Sequence, residues 1–125
     1  MHDAWSFIDI GSINTLGCQQ PLGMANGAIS DEQLSASSEW EGMPVNLSRL
    51  HLKLSWGSWA AATNDANQWI QIDLIGQDTK VIRVATQGRS TYCCQWVTKY
   101  NLLYGNNGVN FQYYKEQGQT VTKVN

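Results

Sequence analysis

The sequence predicts an all-β domain, because its clearest periodic segments are short strands joined by turns. Residues 69–74 alternate between apolar and polar side chains, and residues 80–86 repeat that alternation after a turn. Two aromatic-rich runs, 97–104 and 111–115, flank the turn-forming stretch 105–108, which is typical of a β-hairpin. Beyond the first quarter of the chain, no segment has the length and period of an α-helix. We therefore predict a sandwich or barrel of short antiparallel strands.

The composition agrees with a single folded domain and excludes several other classes. The 125 residues are 42% hydrophobic and only 14% charged, which excludes a disordered, strongly charged tail. The net charge of −2 argues against a nucleic-acid-binding protein, which carries a basic face to neutralise phosphates. No stretch approaches the ~20 apolar residues needed to cross a bilayer.

The first segment of the chain differs from the rest. Residues 1–16 mix apolar and polar side chains without a clean period, which predicts an irregular or disordered leader before a domain over 17–125. The leader also lacks the basic and apolar regions of a signal peptide. Ser30-Asp31-Glu32-Gln33 fits a capping box, so a single helical turn is expected there, followed by a strand over 34–38.

Catalytic and metal-binding chemistry have little support in the residues. A nucleophile pair of His51 with Cys93 or Cys94 needs an orienting third group that the sequence does not suggest. A zinc site from the same residues is disfavoured, because metal-binding cysteines are usually spaced by two or more residues. No glycine-rich phosphate-binding loop precedes a helix. We therefore expect no enzyme activity, no cofactor and no metal ion.

Large apolar side chains in three segments without strand periodicity are candidate binding residues. The first, second and third candidate loops are residues 39–44, 54–57 and 90–94. Their apolar side chains are Trp40, Met43, Leu54, Trp56 and Tyr92. Such side chains on loops lower solubility unless something covers them, so they indicate a binding surface. The alternative is that the loops fold back on the core.

Other aromatic residues lie in strand patterns and are expected to pack in the core or sheet. These are Trp69, Tyr100, Tyr104, Phe111 and Tyr113.

The cellular compartment is left open by the composition. The chain has three cysteines, which is an odd number. In a secreted protein this leaves one free thiol or one disulfide to a partner outside this chain, whereas in a cytosolic protein three reduced thiols need no explanation. Asn46-Leu47-Ser48 matches an N-glycosylation acceptor and supports secretion only slightly, since such triplets often arise by chance.

Several short motifs occur in an order that is similar to a known family. They occupy residues 21–24, 29–38, 48–50, 59, 68–74, 86–89, 96–100, 104–109 and 114–115. In this order they resemble a discoidin domain, also called the coagulation factor V/VIII type C domain, over residues 16–125.

The resemblance implies a distorted jelly-roll β-barrel or sandwich, similar to galactose-binding domains. It also implies non-enzymatic extracellular recognition of a phospholipid membrane, a glycan or a cell-surface protein, commonly in cell adhesion. In the lipid-binding members, hydrophobic side chains on loops at one end of the barrel enter the bilayer surface. Carried over to this chain, those loops are the three candidate loops.

The chain also departs from the family pattern. Members continue for several more strands and close with a cysteine that pairs with one at the start. Cys18 occupies the starting position, but the closing cysteine is absent. We therefore expect the last strands to be lacking, in a fragment or an incomplete gene model. The pair Cys93-Cys94 is not expected in the third loop.

The combined expectation is an extracellular adhesion module with an apolar rim around a polar pocket. Arg49, Lys53 and Arg89 are the expected partners of an anionic lipid headgroup. A galactose-type glycan stacked on Trp40 or Trp56 is the second expectation. The third is a structural fragment of a larger multidomain adhesion protein with no ligand of its own.

Overall fold

Strands dominate the computed structural model, which describes residues 4–13, 19–52, 57–75, 81, 83–89, 95–114 and 123–124. The strands are β1 Ala4–Ile13, β2 Gln19–Pro21, β3 Leu34–Ala36, β4 Trp59–Ala60, β5 Ile70–Ile72, β6 Arg83–Gly88, β7 Lys99–Tyr100, β8 Leu103–Tyr104, β9 Gln112–Tyr113 and β10 Lys123–Val124. Within these ranges the helical segments are two short 3-10 helices, Asp31–Gln33 and Val45–Ser48. The all-β prediction is confirmed. No helix in the described ranges is long and apolar enough to cross a bilayer.

Strand β1 is the centre of the largest sheet. It pairs antiparallel with β2, β4 and β6. Trp5 is paired with Trp59 of β4 along one edge of the strand and with Gly88 of β6 along the other. β1 therefore joins strands that lie far apart in the sequence.

The irregular leader predicted for residues 1–16 is wrong for the part that forms β1. The segment lacks a clean period because the strand contains a bulge. The pairing of β1 with β6 shifts by one residue between Phe7 and Asp9, which leaves Ile8 as the extra residue. A one-residue bulge reverses the phase of the alternation, so the apolar positions before and after it do not share one period of two.

The remaining described ladders are two-stranded and antiparallel. β3 pairs with β5, β8 with β9 and β7 with β10. The strands expected over 34–38 and 69–74 are confirmed in the β3–β5 ladder, and the expected hairpin is confirmed in β8–β9. The strand expected over 80–86 appears as β6, with Ile82 outside the described residues. These ladders do not close into a ring in the described part of the chain, so the jelly-roll barrel stays a prediction.

Two small clusters of buried side chains form the described core. Met24, Ile29 and Leu34 make the first, and Leu22, Val45, Ile72, Leu74 and Val84 pack against it. Met43 and Ala60 make the second. Trp59 is 1% exposed, and its Nε1–H donates to the Ser38 carbonyl at 2.9 Å. Burial of these side chains is the main favourable contribution to folding.

The predicted capping interaction between Ser30 and Gln33 lies next to the β3–β5 ladder and is hydrogen-bonded to it. The Ser30 N–H donates to Oε1 of Gln33 at 3.0 Å, which confirms the expected link between these two residues. Gln33 then bridges to the far strand, because its Nε2 donates to the Asp73 carbonyl at 2.7 Å and its carbonyl accepts the Asp73 N–H at 2.8 Å. One turn of helix is thus tied to both strands of the ladder.

Candidate functional site

Residues next to the second and third candidate loops lie close together in the β1 sheet. The second candidate loop precedes Trp59, where β4 begins, and the third follows Gly88, where β6 ends. Both residues are paired with Trp5. β4 and β6 both run antiparallel to β1, so the segment that enters β4 and the segment that leaves β6 extend in opposite directions along the sheet. We call the part of the sheet around Trp5, Trp59 and Gly88 the loop end.

The first candidate loop contains a tight turn from Trp40 to Met43. The Met43 N–H donates to the Trp40 carbonyl at 2.9 Å, and Gly42 has a φ of +79°, a left-handed conformation that glycine adopts without steric cost. Two further bonds join the turn to β4: Trp40 N–H to the Ala60 carbonyl at 2.7 Å, and Ala60 N–H to the Met43 carbonyl at 3.3 Å. Because Ala60 follows Trp59, these bonds bring the turn to the loop end.

The turn places its two candidate side chains in different environments. Trp40 is 47% exposed, so its ring reaches the surface. Met43 is 7% exposed and packs with Ala60 in the second core cluster. Met43 therefore does not contribute to an exposed apolar rim in this structure. It anchors the turn from which Trp40 projects.

Arg49 is committed to contacts within the protein. It is 9% exposed; its Nη1–H donates to the Met24 carbonyl at 2.8 Å, and its Nη2–H donates to Oδ1 of Asp31 at 2.6 Å. These bonds connect the first 3-10 helix to the first core cluster. The guanidinium expected to meet a lipid headgroup makes these contacts in the folded chain, and its role towards a headgroup stays a prediction.

Arg89 closes the base of the third candidate loop. Its Nη1–H donates to Oε1 of Gln95 at 2.6 Å, and its backbone N–H donates to the Gln95 carbonyl at 2.9 Å. The residues on either side of the third loop are therefore bonded to each other. Arg89 is half-buried at this position, next to the end of β6.

The other candidate residues lie outside the described part of the chain. They are Lys53, Leu54, Trp56, Tyr92, Cys93 and Cys94. Their assignment to the loop end stays a prediction. Within the described part, no cluster of three or more His, Cys, Asp or Glu side chains is arranged to hold a metal ion.

The surroundings of Trp40 are acidic. Glu39 and Glu41 flank it in sequence, and both are exposed. The Glu39 carboxylate accepts the N–H of Val45, which fixes that charge beside the turn. An acidic flank gives no general attraction to an anionic lipid surface, so a contact of Trp40 with a membrane depends on the ring itself.

A second group of exposed apolar residues was not predicted from the sequence. Leu103 is 42% exposed, Tyr104 57%, Phe111 41% and Tyr113 60%, all in or beside the β8–β9 hairpin. Trp69 is also exposed, at 49%. Packing in the core or sheet was expected for four of these five side chains. Tyr104 and Tyr113 do lie in the β8–β9 ladder, but none of the four side chains is buried in the core. β8 and β9 pair only with each other among the described strands, and no described layer covers them.

Comparison with known proteins agrees with the motif order. The F5/8 type C domain model matches residues 33–125. The chain is 36% identical to lactadherin of Rattus norvegicus over 110 residues, which cover 82% of this chain and 26% of that protein. It is 34% identical to the EGF-like repeat and discoidin I-like domain-containing protein 3 of Homo sapiens over 116 residues, covering 86% of this chain and 24% of that protein.

A larger relative shares the same region. Coagulation factor V of Sus scrofa is 36% identical over 115 residues, which cover 86% of this chain and 5% of that protein. The chain thus spans about a quarter or less of the length of these relatives. No solved structure matches the chain significantly. The family model and the relatives confirm the resemblance found in the sequence, and the chain belongs to the F5/8 type C, or discoidin, domain family, whose members are binding or adhesion modules rather than enzymes.

Proposed function

We propose that the chain is an extracellular recognition domain that binds a phospholipid membrane surface through the loop end, with the Trp40 ring entering the lipid–water boundary. The observation that carries the proposal is an aromatic side chain, 47% exposed, on a turn held by Gly42 and by two backbone bonds to β4. Lipid-binding members of the family use apolar loop side chains at one end of the fold. Membership of that family supports the same use of Trp40.

The energetics suit weak and reversible attachment. An indole ring is favoured at the boundary between lipid and water, because it has an apolar body and a polar N–H. Burying the exposed half of a Trp side chain, roughly 100 Å², contributes about 2–3 kcal/mol at about 25 cal/mol per Å². In this proposal Leu54, Trp56 and Tyr92 add comparable contributions from the other two loops.

The charges of the described residues favour apolar insertion over general electrostatic attraction. Arg49 is occupied by Asp31 and by the Met24 carbonyl. Glu39 and Glu41 place negative charge beside the ring. We therefore expect binding to respond weakly to salt and to increase only modestly with phosphatidylserine content.

Co-sedimentation with vesicles tests the proposal directly. The folded chain is mixed with phosphatidylcholine vesicles and with vesicles of increasing phosphatidylserine content. Trp40→Ala should lower the affinity for the vesicles at least about tenfold, which corresponds to about 1.4 kcal/mol. Trp69→Ala is the matched control, because it removes an equally exposed indole from the start of β5 and should leave binding unchanged.

Two results would overturn the lipid proposal. One is a folded parent chain that binds none of these vesicles. The other is an equal loss of binding in the Trp40→Ala and Trp69→Ala variants, which would indicate a non-specific effect of surface indoles. If a soluble galactose-type sugar changes the fluorescence of the parent chain but not of Trp40→Ala, a glycan is the ligand instead.

A further inference from the structure

The Asn46-Leu47-Ser48 triplet has a feature that folding does not explain. It is the single Asn-x-Ser/Thr triplet in the sequence and lies in the 3-10 helix Val45–Ser48. Leu47 is 8% exposed and Ser48 is 0% exposed. The Ser48 Oγ atom has no hydrogen-bond partner.

A buried hydroxyl without a partner is unfavourable for the folded state. It loses its hydrogen bonds to water and gains none in exchange. Alanine is almost the same size and carries no such penalty. The packing around Ser48 therefore gives no reason for a serine at this position. The Oγ atom of Ser58 is buried without a partner as well, so the inference rests on the triplet and the buried hydroxyl together.

The first residue of the triplet is suited to carry a modification. Asn46 is partly exposed, and its side chain makes no hydrogen bond to another described residue. A group attached to its Nδ2 atom can extend into solvent without breaking a described contact. Asn46 also follows the Trp40–Met43 turn closely, since its neighbour Val45 donates its N–H to Glu39.

We propose that Asn46 is an N-glycosylation site that is modified before the chain folds. The proposal rests on the extracellular location put forward above, because N-glycosylation takes place in the secretory pathway. The transferase recognises the hydroxyl of the third residue of the triplet, and that hydroxyl is buried once the domain has folded. Ser48 is thus required in the unfolded chain and unused in the folded one.

The modification is a glycosyl transfer with no change of oxidation state. The donor is an oligosaccharide linked to a lipid pyrophosphate. A bond forms between Nδ2 of Asn46 and the anomeric carbon of the sugar, and the bond from that carbon to the pyrophosphate oxygen breaks. The electron pair stays on the pyrophosphate, and a proton leaves Nδ2 to a base of the transferase.

Expression of the chain in secreting eukaryotic cells tests the proposal. Peptide mass spectrometry after enzymatic removal of N-glycans should find Asn46 converted to aspartate in the wild type. Asn46→Gln and Ser48→Ala should lose the glycan, and Ser48→Thr should retain it because threonine is also recognised. Val109→Thr makes Asn107 a second acceptor on an exposed loop and reports that the chain has entered the secretory pathway.

Three results would overturn the proposal. The first is a Val109→Thr chain that carries a glycan at Asn107 but none at Asn46. The second is that neither the wild type nor the Val109→Thr chain carries any glycan, which would show that the chain does not enter the secretory pathway. The third concerns thermal stability, measured on unglycosylated protein made in bacteria. There we expect Ser48→Ala to raise the thermal midpoint of unfolding by roughly 2–8 °C. A fall in that midpoint would give Ser48 a structural role. Vesicle binding is measured separately on the bacterial protein, so failure of the lipid proposal is distinguishable from failure of this one.

Discussion

The backbone N–H of His51 donates a hydrogen bond of 2.9 Å to Oε1 of Gln87. It joins the residues just before the second candidate loop to the strand that leads into the third. His51 has a φ of +60°, which is uncommon for a residue other than glycine and costs free energy. A side chain on β6 therefore helps to hold a strained position at the loop end.

Replacing Gln87 should make the backbone at His51 less stable. Gln87→Ala removes the acceptor, and we expect a loss of about 1 kcal/mol of stability with faster exchange of the His51 amide hydrogen. Urea denaturation and amide exchange followed by NMR measure the two effects. Gln112→Ala is the control, because its Oε1 accepts from the Tyr104 hydroxyl in the exposed hairpin and should not affect His51. Unchanged exchange at His51 in Gln87→Ala would contradict the prediction.

Alanine substitutions at Met43 and Trp40 should have different effects on the stability of the domain. Met43→Ala removes a buried side chain of the second core cluster and should lower the free energy of unfolding by about 2–3 kcal/mol. Trp40→Ala removes a half-exposed ring and should cost less than about 1 kcal/mol. Chemical denaturation of both variants checks the difference. A loss in Trp40→Ala as large as that in Met43→Ala would mean that the Trp40 ring is needed for folding.

Local sequence signals were sufficient for the elements that they encode directly. The β3–β5 ladder follows from alternating residues, and the β8–β9 hairpin follows from turn residues between two aromatic runs. β1 was missed because its bulge at Ile8 interrupts the alternation. The bulge is set by pairing with β6, far away in the sequence, and a local pattern does not contain that information.

The candidate site was predictable at the level of loops and not of single side chains. The sequence placed Trp40 and Met43 in one segment but did not distinguish the exposed residue from the buried one. That difference arises from the bonds between the turn and Ala60, which are tertiary. The same reasoning applies to Arg49, whose burial depends on contacts with Met24 and Asp31.

Alanine substitutions at two glycines with positive φ should show how much stability is lost to a steric clash and how much to backbone strain. A Cβ on Gly23 would lie 2.4 Å from the Cβ of Ala28, whereas a Cβ on Gly27 would meet nothing within 4 Å. Their φ values are +115° and +83°. Gly27→Ala should cost about 1 kcal/mol from backbone strain alone, and Gly23→Ala should cost at least about 3 kcal/mol. Equal midpoints of urea denaturation in the two variants would refute this assignment.

Arg49 should be important for folding irrespective of any ligand. Arg49→Met keeps the length of the buried stem but leaves the Met24 carbonyl without its donor, and we expect a loss of about 2–3 kcal/mol. Asp31→Asn should cost less than about 1 kcal/mol, because the Asp31 side chain is 63% exposed and water replaces part of the interaction. Urea denaturation measures both variants. A stable Arg49→Met variant with weakened vesicle binding would instead return Arg49 to the role of a headgroup partner.

Asp65 should contribute to the acid sensitivity of the domain. Its carboxylate accepts a hydrogen bond from the Gln68 side chain at 3.0 Å and another from the Asn67 N–H at 2.8 Å, and these bonds lower the pKa of Asp65 below its ordinary value. A carboxyl group whose pKa is lower in the folded state stabilises the fold above the unfolded pKa. That contribution is lost as the pH falls through the folded pKa.

Titration of Asp65 by NMR checks the cause of the shift. In Gln68→Ala the pKa of Asp65 should rise towards its ordinary value, because the largest cause of the lowering has been removed. Asp65→Asn cannot titrate, so its stability should fall less than that of the parent chain between about pH 6 and about pH 3. An unchanged pKa in Gln68→Ala would assign the shift to the Asn67 bond instead.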